Sequence, residues 1–110
     1  MVSPRISVIV STYNRPDTLA LVLEGLRRQT VPAHEVIVAD DGSGPGTRAM
    51  LQAWTASHPG FPLRHLWHPD DGFRKTIILN EAVLASTGDY LVFTDGDCVP
   101  DRRFVEDHAA

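Results

Sequence analysis

Along the chain, short β-branched apolar runs alternate with stretches in which apolar residues recur every three or four positions. The first run, "RISVIVS" from Arg5 to Ser11, is apolar at consecutive positions, the pattern of a strand covered on both faces. In "RPDTLALVLEGLRRQT", Leu19, Val22, Leu23 and Leu26 stand at i, i+3, i+4 and i+7, with Pro16 near the start and Arg27 and Arg28 in the last turn. That spacing predicts an amphipathic helix. "HEVIVAD" predicts a second buried strand, and "GSGPGT" opens a second helix that runs to about Ser57 and contains Met50, Leu51 and Trp54. "FPLRHLWH" predicts a shorter third strand. "FRKTIILNEAVLAST" predicts a third helix closed by Gly88 as a left-handed cap, and "DYLVFTD" a fourth strand.

Strands alternating with helices predict the α/β class: a mostly parallel sheet flanked by helices on both faces, with ligand chemistry at the carboxyl ends of the strands. Three polar clusters fall there: "STYNRP" after the first strand, "DDGS" after the second and "DGD" after the fourth. A mononucleotide-type crevice gathers such clusters although they are distant in sequence. No repeat, linker or low-complexity segment divides the chain, so residues 1–110 are expected to form a single domain.

Composition narrows the classes. With 43% hydrophobic and 22% charged residues the chain reads as globular, and no apolar run approaches the roughly 20 residues a membrane helix needs. "MVSPRISVIVSTYN" has no small-residue cleavage site, so it reads as a strand and not a signal peptide, with a cytoplasmic location as the default. A single cysteine, Cys98, allows neither an intrachain disulfide nor a multi-cysteine zinc site, and it reads as a small buried residue. Ten basic residues against fourteen acidic ones argue against nucleic acid as the main partner. A phosphate-bearing ligand therefore needs a positive helper.

The acids of "DGD" point to one. Residues two apart in extended backbone face the same side, so Asp95 and Asp97 converge, and two carboxylates 4 Å apart repel by about 4 kcal/mol at an effective dielectric of 20. A hard divalent cation, Mn²⁺ or Mg²⁺, takes oxygen ligands, keeps open positions and bridges to phosphate. Taken alone, the same residues read more readily as a solvated turn before Pro100. His65 and His68, at i and i+3 in an extended stretch, do not share a face, so they read as structural residues rather than metal ligands. His34 and His58 read as exposed loop positions.

Taken in order, "VSTYNRP", "VIVADDGS", "DGFRKTIILNEAV" and "YLVFTDGDCVP" closely resemble glycosyltransferase family 2, from Arg5 to about Phe104. The resemblance implies the Rossmann-like nucleotide-binding half of the glycosyltransferase A fold. It further implies a nucleoside-diphosphate sugar as donor, UDP-linked favoured, with Mn²⁺ or Mg²⁺ at Asp95 and Asp97 and transfer to an acceptor hydroxyl with inversion. Ser11 and Tyr13 resemble nucleotide contacts, Tyr13 near the base. Asp41 resembles the acceptor of a base N–H, with Asp40 nearby; the same oxygens also suit helix N-capping. Arg74 and Lys75, at the start of the third helix, resemble diphosphate contacts, and Asp95 borders the nucleotide. Asp70 and Asp71 stand as salt-bridge partners of these cations or as ligand groups.

Family members are longer, and their second half supplies the acceptor pocket and the catalytic base. No base is carried onto Asp101, Glu106 or Asp107. Residues 1–110 are accordingly expected to be the N-terminal donor-nucleotide part of a truncated domain, with a saccharide or lipid-linked acceptor, membrane association arising outside this region, and an apolar edge that promotes self-association. The main alternative is a nucleotide-sugar-binding module without turnover. A nucleotidyltransferase calls for a Gly-rich basic loop after the first strand, and a phosphoacceptor receiver for a lysine after a late strand; neither is present.

Overall fold

The computed structural model describes residues 4–109. The β-branched runs become strands and the periodic stretches helices: β1 (Ile6–Thr12), α1 (Pro16–Arg27), β2 (Glu35–Asp40), α2 (Pro45–Ser57), β3 (Leu63–Trp67), α3 (Lys75–Ala85), β4 (Tyr90–Asp95) and α4 (Phe104–Ala109). All strand pairs are parallel, in the order β3-β2-β1-β4. The chain moves outward from β1 to β3, then returns through α3 to the other side of β1. This reversal opens a crevice at the carboxyl ends of β1 and β4.

Every residue of β1 and β2 is buried, as two-sided apolar runs require. Val8, Val10, Val36 and Val38 face one way, toward Leu19, Val22, Leu23 and Leu26 of α1 and Leu51 of α2. Ile9, Ile37 and Ala39 face the other way, toward Ile78 and Ala82 of α3. The alternation of side chains along each strand thus divides one apolar run between two cores. Burying side chains of this size contributes about 1.5–3 kcal/mol each.

α3 buries only the i, i+4 pair Ile78 and Ala82, and leaves Ile77, Val83 and Leu84 exposed. Among the described residues β4 pairs only with β1, and its Tyr90 and Phe93 are also exposed. The open apolar edge therefore lies at β4, with more apolar surface on the outside of α3. No helix among the described residues is long and apolar enough to cross a membrane.

Two details differ from the pattern reading. Gly88 is not a left-handed cap: α3 ends at Ala85, and Gly88 lies where a Cβ would stand 2.3 Å from Ser7 Oγ. It is a close-approach glycine, its N–H donating to that hydroxyl at 2.9 Å. α4 was not predicted, because six residues carry too little periodicity. It is held by the side chain of Gln29, which accepts from the Val105 N–H at 2.8 Å, and by burial of Val105.

Candidate functional site

β1, β2, β4 and the loop before α3 end around one cleft of about 540 Å³, a volume typical of small-ligand sites. Its walls include Ser11, Tyr13, Arg15, Asp41, Lys75, Asp95 and Asp97. Four aspartates (Asp41, Asp70, Asp95 and Asp97) face two cations, Arg15 and Lys75. The balance is acidic.

The "DGD" turn is fixed to β1. Ser11 and Asp95 are register partners, and Ser11 Oγ donates to Asp95 Oδ1 at 2.8 Å. Lys75 Nζ donates to the same oxygen at 3.2 Å. The hydrogen bond from Ser11, then Lys75, hold the Asp95 carboxyl below the usual carboxylate range. The Gly96 N–H reaches Ser11 O at 2.7 Å, folding the turn back so that Asp97 is exposed beyond it. Cys98 is exposed, against the sequence expectation of burial, because β4 ends at Asp95 and the thiol follows the turn to the surface. Its Sγ donates to Asp97 Oδ1 at 3.5 Å, and that carboxylate pushes the thiol pKa up. Asp95, Asp97 and Cys98 bring ligand atoms within 4.8 Å of one another.

On the opposite wall the two consecutive aspartates part company. Asp40 shares the face of Val36 and Val38 by strand alternation and is fully buried. Its Oδ1 accepts from the Ser43 N–H at 2.9 Å and its Oδ2 meets His65 Nε2 at 2.8 Å. Asp41 turns to the cleft, with His68 Nε2 2.6 Å from Oδ1 and the Arg74 N–H 3.0 Å from Oδ2. Neither aspartate caps α2, whose N-cap is Gly44. Gly42 follows at φ 89°, and a Cβ there would lie 2.5 Å from the backbone of Asp70, so the turn packs directly under the loop that begins α3. Tyr13 Oη donates to Asp70 Oδ2 at 2.6 Å and clasps that loop from the β1 side. This bond to Asp70 raises the phenol pKa.

Of the residues singled out in the sequence, the structure gathers Ser11, Tyr13, Asp41, Lys75, Asp95 and Asp97 at the cleft. It does not bring Asp40 or the Arg74 side chain there. Asp40 is enclosed between strands, and the Arg74 guanidinium lies 3.1 Å from Asp71, its i−3 neighbour. Asp70 joins the wall, and Asp71 is the salt-bridge partner of Arg74. Arg15 and Phe73 were missed. Arg15 was visible as the only cation of "STYNRP", whereas Phe73, 87% exposed on the wall, carries no sequence signal. His58 is also not a free loop residue, since it stacks on Trp54 with ring centroids 4.0 Å apart.

The family model "Glycosyl transferase family 2" matches residues 7–110. Glycosyltransferase AglE of Haloferax volcanii is 29% identical over 94% of this chain, which spans 34% of AglE. Mannosyltransferase PcManGT from Pyrobaculum calidifontis, solved in complex with GDP-Man and Mn²⁺, superposes with a TM-score of 0.82 at 32% identity, over 93% of this chain and 30% of that one. S. aureus TarS 1–349 in complex with UDP-GlcNAc superposes with a TM-score of 0.77 at 28% identity, over 96% and 30%. The chain thus spans about a third of the length of these relatives, and its parallel sheet flanked by helices matches their glycosyltransferase A fold. With these motifs, this sheet order and a match over nearly its whole length, the chain belongs to glycosyltransferase family 2.

Proposed function

We propose that this chain binds the donor of a metal-dependent glycosyltransferase, a nucleoside-diphosphate sugar with UDP favoured, and belongs to an enzyme that transfers the sugar to an acceptor hydroxyl with inversion. The observation that carries this reading is the convergence of Ser11, Asp41, Lys75, Asp95 and Asp97, from three strand ends and one helix, on a single cleft. The nucleotide sugars held by PcManGT and TarS support the ligand class. Mn²⁺ or Mg²⁺ fits the donor set: Asp95 and Asp97 offer hard oxygens and the cleft is acidic. When bound, the metal supplies positive charge for the diphosphate leaving group.

The chain's own residues then divide the work. Asp41 accepts a base N–H, and Tyr13 packs beside the base while holding Asp70. Lys75 and Arg15 place positive charge where the phosphates lie, and Ser11 fixes the Asp95 carboxylate. Asp40 and Arg74 support the walls from behind. The acceptor, a saccharide or a lipid-linked sugar, approaches the donor from the open side of the cleft. Calorimetry with UDP and GDP, each with and without Mn²⁺, tests the donor reading. Metal-dependent binding is expected, and failure of both nucleotides to bind would overturn it. Release of UDP or GDP from the cognate sugar donor, assayed with saccharide acceptors, separates transfer from binding alone.

A further inference from the structure

His65 and His68 read from the sequence as structural residues, and each reaches one member of the "DD" pair. A carboxylate is acceptor-only, so the ring nitrogen facing it carries the hydrogen; both histidines therefore donate through Nε2. For Asp41 the consequence is specific. One oxygen takes His68 and the other takes the Arg74 N–H, which fixes the plane of the carboxylate. Each oxygen keeps a lone pair, and Asp41 remains on the cleft wall at 7% exposure. The result is an oriented acceptor.

Resting on the donor reading above, we propose that His68 is the positioning residue for base recognition. From beyond the end of β3 it locks Asp41 in the rotamer that meets a base N–H, so nucleotide binding does not have to order that side chain. Buried polar pairs of this kind are costly to leave half-made, and a ligand group held in advance binds more tightly than one ordered on binding. His65 braces Asp40 one layer behind and has no access to the cleft. His68 therefore acts on the base and not on the diphosphate, which is grasped from Lys75 and the "DGD" side.

The test replaces His68 with Gln, which keeps an amide N–H, and with Met and Phe, which fill space without one. Each folded variant, checked by thermal melting, is titrated with UDP and GDP in Mn²⁺ and, separately, with inorganic diphosphate in Mn²⁺. His68→Met and His68→Phe are expected to weaken the preferred nucleotide about tenfold, the scale of one lost charge-assisted hydrogen bond. Inorganic diphosphate should bind as before, and His68→Gln should restore nucleotide affinity. Equal weakening toward both probes, or unchanged nucleotide affinity in Met and Phe variants, overturns the positioning role while leaving the donor site standing. If the parent chain binds diphosphate but neither nucleotide, base recognition at this cleft is overturned and the role of His68 with it.

Discussion

Ser11 and Asp95, 84 positions apart in sequence, are register partners on β1 and β4 joined by a 2.8 Å hydrogen bond. The bond ties the first motif of the chain to its last. It also leaves Asp95 oriented toward the cleft with Lys75 on the same oxygen, while Asp97 has no cation partner within the described residues. The two acids of the "DGD" turn thus stand in different surroundings, Asp95 braced by Ser11 and Lys75 and Asp97 without a cation partner among the described residues.

Asp97→Ala is expected to abolish metal-dependent nucleotide binding, weakening UDP or GDP in Mn²⁺ by at least about tenfold, the effect of losing one ligand of a site held by few. The melting temperature should stay near the parent's, because Asp97 is exposed and supports no packing. Calorimetry in Mn²⁺ reads the first outcome, and an unchanged affinity would remove Asp97 from the site.

Lys75→Met separates metal affinity from nucleotide affinity. With the ammonium gone from Asp95 Oδ1, Mn²⁺ alone should bind a few-fold tighter, because a like charge has left a partly exposed site. The nucleoside diphosphate should bind about tenfold more weakly, having lost a phosphate contact. Titrating the variant with Mn²⁺ and then with nucleotide measures both; a loss of both affinities together would mean that Lys75 organises the site rather than contacting phosphate.

How much of this was readable beforehand depends on which interactions are local. β1 and β2 were legible because a two-sided buried strand leaves a continuous apolar run, and the cleft residues because strand ends at a topological switch converge. The sequence put Asp41 at the base with Asp40 nearby, yet the two part: Asp40, the last residue of β2, follows Val36 and Val38 into the core, and Asp41, past the strand end, turns to the cleft. The histidines were judged by their spacing from each other. Their partners are at the end of β2 and just beyond it, so only the β2–β3 pairing, Val38 with His65, reveals the contacts. Gly88 carried the composition of a helix cap, but its role is set by Ser7, 81 residues away.

Gly42→Ala should damage fold and site together. The substitution places a Cβ on a residue at φ 89° and 2.5 Å from the Asp70 backbone, so either the turn or the loop must move. A stability loss of about 2 kcal/mol is expected. Displacement of Asp70 also breaks its hydrogen bond from Tyr13, which lowers the raised phenol pKa toward its ordinary value. Urea unfolding and a spectrophotometric tyrosine titration check the two consequences, and a variant with parent stability and parent titration would show that the loop yields freely.

Glu35 makes stability depend on pH at the other end of the sheet. Burial raises its carboxyl pKa, but hydrogen bonds from the Thr87 N–H, Ser7 Oγ and Thr87 Oγ1 outweigh burial and leave it below the ordinary range. A depressed carboxyl contributes stability that is fully present above its unfolded value, about 4.3, and is lost as pH falls through the lower folded value. Glu35→Gln should therefore destabilise the chain at pH 7 by about 1.5–3 kcal/mol, the scale of a hydrogen bond to a charged group. It should also flatten the loss of stability expected between neutral pH and about pH 3, leaving the remaining slope to other depressed acids such as Asp40, whose burial is outweighed by bonds from His65 and Ser43. Urea midpoints measured across that range decide it: parallel pH profiles for parent and variant would show that Glu35 titrates alike in the folded and unfolded chain.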